Sequence, residues 1–443
     1  MSEIVAEVTD LLQRLIRNGC VNDGTADSGQ ELRNAELLAD HLRGSGAELT
    51  TYESHPGRAS LLARIEGTDP AAPTLMLMGH TDVVPAAPEG WRHDPLGGEL
   101  VDGVVWGRGA IDMLNLTASM AVATRRLAAS GRRPRGTLLF LGVADEEAGG
   151  AYGAGWLMKH AREAMACDYV ITENGGVLQP TPAGERIGIT VGEKGICWCR
   201  LVVHGTPGHG SRPYGADNAL VKAAEVVTRL AGFRPTAHIT QAWERWVAGM
   251  GFEPQMAAAL IDPARIWEAI EQLPAELAPT AHALTHLTLS PNVISGGGKT
   301  NVIPGRVDLE VDIRKVPGQS DEEVLETIDT ALGSLRGDVE VEVLQCDEPT
   351  ESEVDTPLWD AINRAATDVY PEATCIPSML TGGTDARFFR SLGIPAYGMG
   401  LYSRAMTLAQ YSAMFHGNDE RVDQESLRLT VELYSAVTLD LLG

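Results

Sequence analysis

The sequence predicts an α/β fold in which a mostly parallel central sheet is flanked by helices and a second, α+β unit with an antiparallel sheet is inserted. Three observations carry this. Through the first 190 or so residues, apolar runs bounded by Gly or Asp alternate with helical patterns, as parallel strands with crossover helices do. Near residue 193 the apolar residues move to every second position, the period of a strand with one buried face. After Pro349 the first kind of pattern returns, so the chain leaves its first unit and comes back. The units expected are 1–192, 193–350 and 351–443, with extra helices about 242–286.

Taken in order, the start MSEIVAEVTDLLQRLIRNG reads as an amphipathic helix. Strands are expected at Thr74 to Met78, Thr137 to Val143 and Tyr169 to Thr172, with a crossover helix from Leu116 to Ser130 between the first two. Each strand runs straight into polar residues: Gly79-His80-Thr81-Asp82, Asp145-Glu146-Glu147 and Glu173-Asn174. Open α/β sheets bind ligands beyond the carboxyl ends of their strands, so these acidic ends converge where a cation would sit. In the second unit, Cys197, Cys199, Leu201 and Val203 alternate, as do Val307 to Ile313 and Val339 to Leu344, with a helix from Ser320 to Leu335. Cys197 and Cys199 are read as strand core and not as a thiolate pair, since no second Cys pair accompanies them. Ala242 to His286, with Trp243, Trp246 and Trp267, reads as helices. Pro357 to Val369, Pro395 to Met399 and Gln424 to Leu442 complete the first unit.

Composition excludes several functions. Of 443 residues, 60 are Asp or Glu and 35 Lys or Arg, a net charge of −25, which repels nucleic acid and anionic lipid. No apolar run approaches the roughly 18 residues needed to span a bilayer. The six scattered cysteines form no disulfide framework. A reducing, cytoplasmic setting is expected.

The chemistry-bearing residues fall into one pattern. His80 and Asp82 have strand spacing, so the carboxylate would hold the imidazole tautomer. Glu146 and Glu147 are adjacent carboxylates after a buried strand: a metal would engage one and leave the other free to take a proton from water. Each feature alone also fits a structural role, as a strand-end pair or as acids at a helix start. Asp112 enters the crossover helix through the glycine-rich Trp106-Gly107-Arg108-Gly109-Ala110-Ile111-Asp112-Met113, which also fits a helix cap. His416 lies in a distant loop. The joint presence of two His and several placed acids suits zinc, cobalt or manganese.

Taken together, GHTDVVP, GRGAIDM, ADEEAGG, TENGG, GTPGHGSRP, KTNVIPG, GGTDAR and FHGNDE make the chain resemble, over nearly its whole length, the co-catalytic zinc peptidases: aminoacylases, glutamate carboxypeptidases, dipeptidases and succinyl-diaminopimelate desuccinylase. The resemblance implies that residues 1–192 and 351–443 form a catalytic domain and 193–350 a lid and dimerisation domain. It implies two divalent ions, one on His80 and Glu173, one on Glu147 and His416, with Asp112 bridging. Glu146 would be the general base, Asp82 would orient His80, and His209 would reach across a homodimer to the oxyanion. Asn301, Arg314 and the Gly382-Gly383-Thr384 loop would hold a substrate carboxylate. The implied reaction is hydrolysis of an amide beside a free carboxylate, in an N-acyl amino acid or short peptide. Leu114-Asn115 departs from the Lys-Gly that many relatives carry there, and the 242–286 insertion is longer than in compact members. Two other readings stand beside this one: a two-metal phosphoesterase, against which the carboxylate-binding residues argue, and a non-catalytic homologue, against which Glu146 argues.

Overall fold

The computed structural model describes residues 3–443. Ten strands form the main sheet. From edge to edge it runs Glu48–His55, Arg58–Ile65, Thr137–Val143, Thr74–His80, Tyr169–Thr172, Ala396–Gly398, Gly184–Glu193 and Thr350–Glu351; Leu178–Thr181 and Ala373–Leu380 also pair with Gly184–Glu193. The centre is parallel, since Thr74–His80 pairs in parallel with both Thr137–Val143 and Tyr169–Thr172, and the latter with Ala396–Gly398. The margin is antiparallel where the Glu48–His55 and Arg58–Ile65 hairpin joins.

Both faces of the sheet are buried, which is why its strands read as unbroken apolar runs. Leu75 and Leu77 face helices Glu3–Asn18, Leu32–Leu42, Leu114–Ala129, Pro357–Val369 and Gln424–Leu442, whereas Met76 and Met78 face the short helices Ala154–His160 and Ala386–Arg390. The first strand runs two residues further than expected, to His80, and the crossover helix starts at Leu114, two residues early.

Four antiparallel strands form a separate sheet, in the order Thr288–Gly296, Arg306–Lys315, Gly195–His204, Val339–Cys346. One face is covered by helices Ala219–Gly232 and Asp321–Leu332, and Cys197, Cys199, Leu201 and Val203 are buried there, as the alternation required. All six cysteines are unpaired. Ser320 caps its helix with Glu323 in a reciprocal capping box. The chain crosses between the sheets at one place. Glu193 ends a strand of the main sheet, Gly195 begins a strand of the second, and the return strand pairs Thr350 with Glu193.

The helices of the insertion, Gln241–Met250, Pro254–Leu260, Ile266–Glu271 and Ala278–Thr285, do not enlarge the second core. Ala242, Trp243 and Val247 pack into the core of the main sheet, with the first of these helices lying on Ala373–Leu380. Gly249 permits that approach, because a Cβ there would collide with Ile376. No helix among the described residues is long and apolar enough to cross a membrane.

Candidate metal centre

The parallel register brings three strand ends level. His80 closes its strand opposite Val143, Asp145–Glu147 follow Val143, and Glu173 follows Thr172 of the next strand. The crossover helix lies close beneath, where Thr117 Oγ1 donates to the His80 carbonyl at 2.8 Å. Asp112 arrives on the loop before that helix. His416 arrives from the turn between helix Leu408–Met414 and strand Arg421–Asp423, with φ +54°.

Asp112 sits between the two histidines. Its Oδ1 lies 3.2 Å from His80 Nε2 and its Oδ2 3.3 Å from His416 Nε2. His416 Nε2 is also 3.2 Å from Glu147 Oε2. Two groups result, His80 with Asp112 and Glu173, and Asp112 with Glu147 and His416, each with its ligand atoms within 4.8 Å of one another. All five expected metal-ligating residues are thus gathered.

The chemistry of this donor set fits a cation. His80 Nδ1 lies 2.9 Å from the backbone carbonyl of Asp82, an acceptor only, so Nδ1 carries a proton and Nε2 is the nitrogen turned to Asp112. Glu147 Oε1 is buried and has no hydrogen-bond partner among the described residues, a cost that a cation would remove. Charge is balanced locally by protons. Burial alone would raise the Asp112 carboxyl, but hydrogen bonds from His416 and His80 outweigh it and hold the group well below the usual carboxylate range. Those to Asp112 and Glu147 push His416 up to about 10. A divalent ion held by these residues would take the place of such protons.

Glu146, half-buried like its neighbour, differs from it in lying outside both ligand groups. Its carboxyl is pushed well above the ordinary range, first by burial and then by the Glu173 carboxylate.

Asp82 meets His80 through its backbone as well as its side chain, the carboxylate standing at ion-pair distance and not at the hydrogen-bond distance the strand spacing implied. Its carboxylate is 3.7 Å from Nδ1, and its backbone carbonyl makes the hydrogen bond instead, because the strand has already ended at His80. The carboxylate accepts from Asn22 Nδ2 at 2.9 Å and from the backbone N–H of Glu146 and Glu147 at 3.3 and 3.1 Å. It therefore positions the Glu146-Glu147 turn. Behind that turn is a cluster that sequence reasoning missed. Buried Arg58 binds Glu31 through Nε at 2.8 Å and Nη2 at 2.9 Å, and Asp145 through Nη2 at 2.5 Å. Asn22 links Asp145 to Asp82. Unpairing one member of such a buried cluster costs about 3–5 kcal/mol, so the turn is held stiffly.

The remaining expected residues belong to neither ligand group. His209 is exposed and hydrogen-bonds within its own turn. There Nδ1 accepts the Ser211 N–H at 3.2 Å, which leaves Nε2 as donor. Asn301 is exposed, its carbonyl taking the Gly210 N–H at 2.8 Å. Arg314 is held by Asp312, Nε to Oδ1 at 2.7 Å and Nη2 to Oδ2 at 3.1 Å. Thr384 is not free to donate as expected, since Glu193 Oε2 takes its N–H at 2.7 Å and its hydroxyl at 2.6 Å. Gly382 and Gly383 lead into it, Gly383 beside Ile196 at the start of the second sheet.

Residues 76–440 match the model of Peptidase family M20/M25/M40. The N-fatty-acyl-amino acid synthase/hydrolase PM20D1 of Xenopus tropicalis is 29% identical over 398 residues, 85% of this chain and 74% of that protein. Human aminoacylase-1 is 28% identical over 404 residues, 90% and 87% of the two chains. In structure the chain is similar to the M20 family metallo-carboxypeptidase Sso-CP2 of Sulfolobus solfataricus, with a TM-score of 0.72, 20% identity, and coverage of 100% and 99%.

Proposed function

The chain belongs to the M20/M25/M40 peptidase family, metal-dependent hydrolases of amide bonds, and from that premise we propose that it cleaves an amide beside a free carboxylate, in an N-acyl amino acid or short peptide. The observation that carries the reading is the pair of ligand groups sharing Asp112, with Glu146 beside them and in neither. His80, Glu173 and Asp112 would hold one divalent ion, and Glu147, His416 and Asp112 a second, most suitably zinc, with cobalt or manganese acceptable to the same donors. Such ions supply Lewis acidity toward the scissile carbonyl and the attacking water.

The chain's own residues do the rest. Glu146 accepts the proton of the attacking water on its carboxylate and hands it to the departing amine nitrogen. Asp82, with Arg58 and Glu31 behind Asp145, keeps Glu146 in place. Arg314, Asn301 and the Gly382-Gly383-Thr384 loop receive the substrate carboxylate, with Gly382 and Gly383 the donors left once Glu193 has engaged Thr384. That relatives carry the name aminoacylase-1 supports an N-acyl amino acid ahead of a dipeptide as the substrate of this chain. Unpaired cysteines suit a reducing cytoplasm.

The test is a hydrolysis screen of the metal-loaded protein over N-acyl amino acids, dipeptides and phosphate esters, read by mass spectrometry. Release of free amino acid from the first two classes is expected. Turnover of phosphate esters alone would overturn the reading.

His209 Nε2 is a donor that belongs to neither ligand group of its own chain, and its service to the oxyanion would be rendered to a second copy. Val293 and Ile294 on the outer strand of the second sheet, and Tyr214, Leu220 and Val221 in the same unit, are exposed apolar side chains suited to such an interface. Sedimentation should give twice the 47.3 kDa chain mass. A fully active monomer would refute the reach of His209 across subunits.

A further inference from the structure

One buried carboxylate near the centre has no part in the roles above. Glu420 is fully buried, and its Oε1 accepts the backbone N–H groups of Gly109, Ile111 and Asp112 at 3.1, 2.7 and 2.8 Å. Its Oε2 takes Arg108 Nη1 at 2.7 Å. Donors from the five-residue stretch 108–112 thus converge on a single side chain. Backbone N–H groups gathered in this way form a concave site for an anion, and here the chain supplies its own from about 310 residues further on. Gly107 and Gly109 both adopt positive φ, and the loop's other backbone bonds run from Arg108 N–H to the Pro95 carbonyl at 2.8 Å, from Ala110 N–H to the Gly107 carbonyl at 3.0 Å and from Asn115 N–H to the Gly109 carbonyl at 3.3 Å.

The other end of the contact is equally fixed. The Glu420 carbonyl accepts the Gly107 N–H at 2.9 Å, and Arg421–Asp423 then pairs antiparallel with Val104–Trp106. Asp419, just before, takes the backbone N–H and Nε of Arg92 at 2.8 and 2.7 Å, while the Arg421 guanidinium donates to the Asp419 carbonyl at 2.8 Å. Glu420 is therefore anchored to both loops, the one that presents Asp112 and the one that, four residues earlier, presents His416.

We propose that Glu420 is a positioning residue that fixes Asp112 and His416 relative to each other, and so completes the ion position they share with Glu147. The proposal rests on the metal-centre reading above. A carboxylate is required because all four groups it meets are donors; an amide would turn its own N–H₂ toward some of them and lose the charge that pairs Arg108. Residues that hold metal ligands in place typically govern affinity by about 10–100-fold.

The test is zinc titration of the full metal-free chain, by calorimetry and chelator competition, in wild type, Glu420→Gln and Glu420→Asp. Wild type should take two ions. In both variants one of the two ions should lose about 10–100-fold in affinity, with secondary structure unchanged by circular dichroism. Aspartate, one methylene shorter, cannot reach the amides and Arg108 together, so it tests the same geometry should glutamine prevent folding. Wild-type affinity for both ions in either folded variant overturns the proposal. So does a loss of thermal stability without a loss of affinity, which would mark a merely structural carboxylate. A wild type that takes up no zinc overturns the metal-centre reading itself, and this inference with it.

Discussion

Glu146→Gln should lower turnover by about 10²–10⁴-fold while both ions remain bound. The expectation follows from where the side chain is held. Its backbone N–H is fixed by Asp82, the turn before it is locked by Arg58 and Glu31 through Asp145, and its carboxylate lies in neither ligand group. Glutamine keeps the shape and cannot take a proton. The measurement pairs kcat on the best substrate of the screen with metal content by emission spectroscopy. Metal lost from the variant would make Glu146 a ligand, and turnover preserved would move the general base elsewhere.

Replacing the substrate's free carboxylate by an amide should reduce kcat/KM by about 30- to 1000-fold, the equivalent of roughly 2–4 kcal/mol for a desolvated guanidinium left without its charge partner. The structure refines the expectation. Arg314 already has a partner in Asp312, whose Oδ1 also accepts from Trp198 Nε1 at 3.1 Å, so a substrate carboxylate must exchange with Asp312 to reach it. With an amide substrate the guanidinium can return to Asp312, which moves the loss toward the lower figure. Comparing acid and amide in wild type and in Arg314→Ala decides the matter. Equal turnover of the two in wild type would show that the carboxylate is not recognised, and an equally large discrimination in Arg314→Ala would assign recognition to another group.

The parts of this molecule that read well from sequence are those buried on both sides. TLLFLGV and YVIT fall on their strands residue for residue, because unbroken apolar runs closed by Gly or Asp leave little choice of boundary. The hairpin Glu48–His55 and Arg58–Ile65 was not foreseen, since its first strand is largely exposed and carries Thr, Tyr, Glu and His without alternation. GERIGITVGE hides a long strand behind its glycines. The five ligand residues could be found because each stands directly after a strand or in a motif. Arg58, Glu31 and Asn22 could not: a single polar residue has no period, and the partners that make it a clamp stand 27 to 123 residues away; Glu420 stands inside FHGNDE, but its partners lie about 310 residues earlier in the chain. Asp82 shows the limit of pattern reasoning, because an i, i+2 spacing implies a shared face only while the strand lasts.

The narrow strand Ala396–Gly398 lies between Tyr169–Thr172 and Gly184–Glu193. Its place in the sheet makes biosynthesis order matter. Until residues 396–420 have left the ribosome, the middle of the sheet is a gap with two open edges, and neither His416 nor Glu420 has emerged. A nascent chain therefore carries at most the His80, Asp112 and Glu173 side of the centre, while its unfilled edges are open to pairing with other chains. Closing that gap joins residues more than 200 positions apart, the kind of long-range pairing that folds slowly. Completion of the sheet and arrival of His416 thus occur together, so a chain cut short before Ala396 is expected to lose one of its two candidate ligand groups and its resistance to aggregation in a single step.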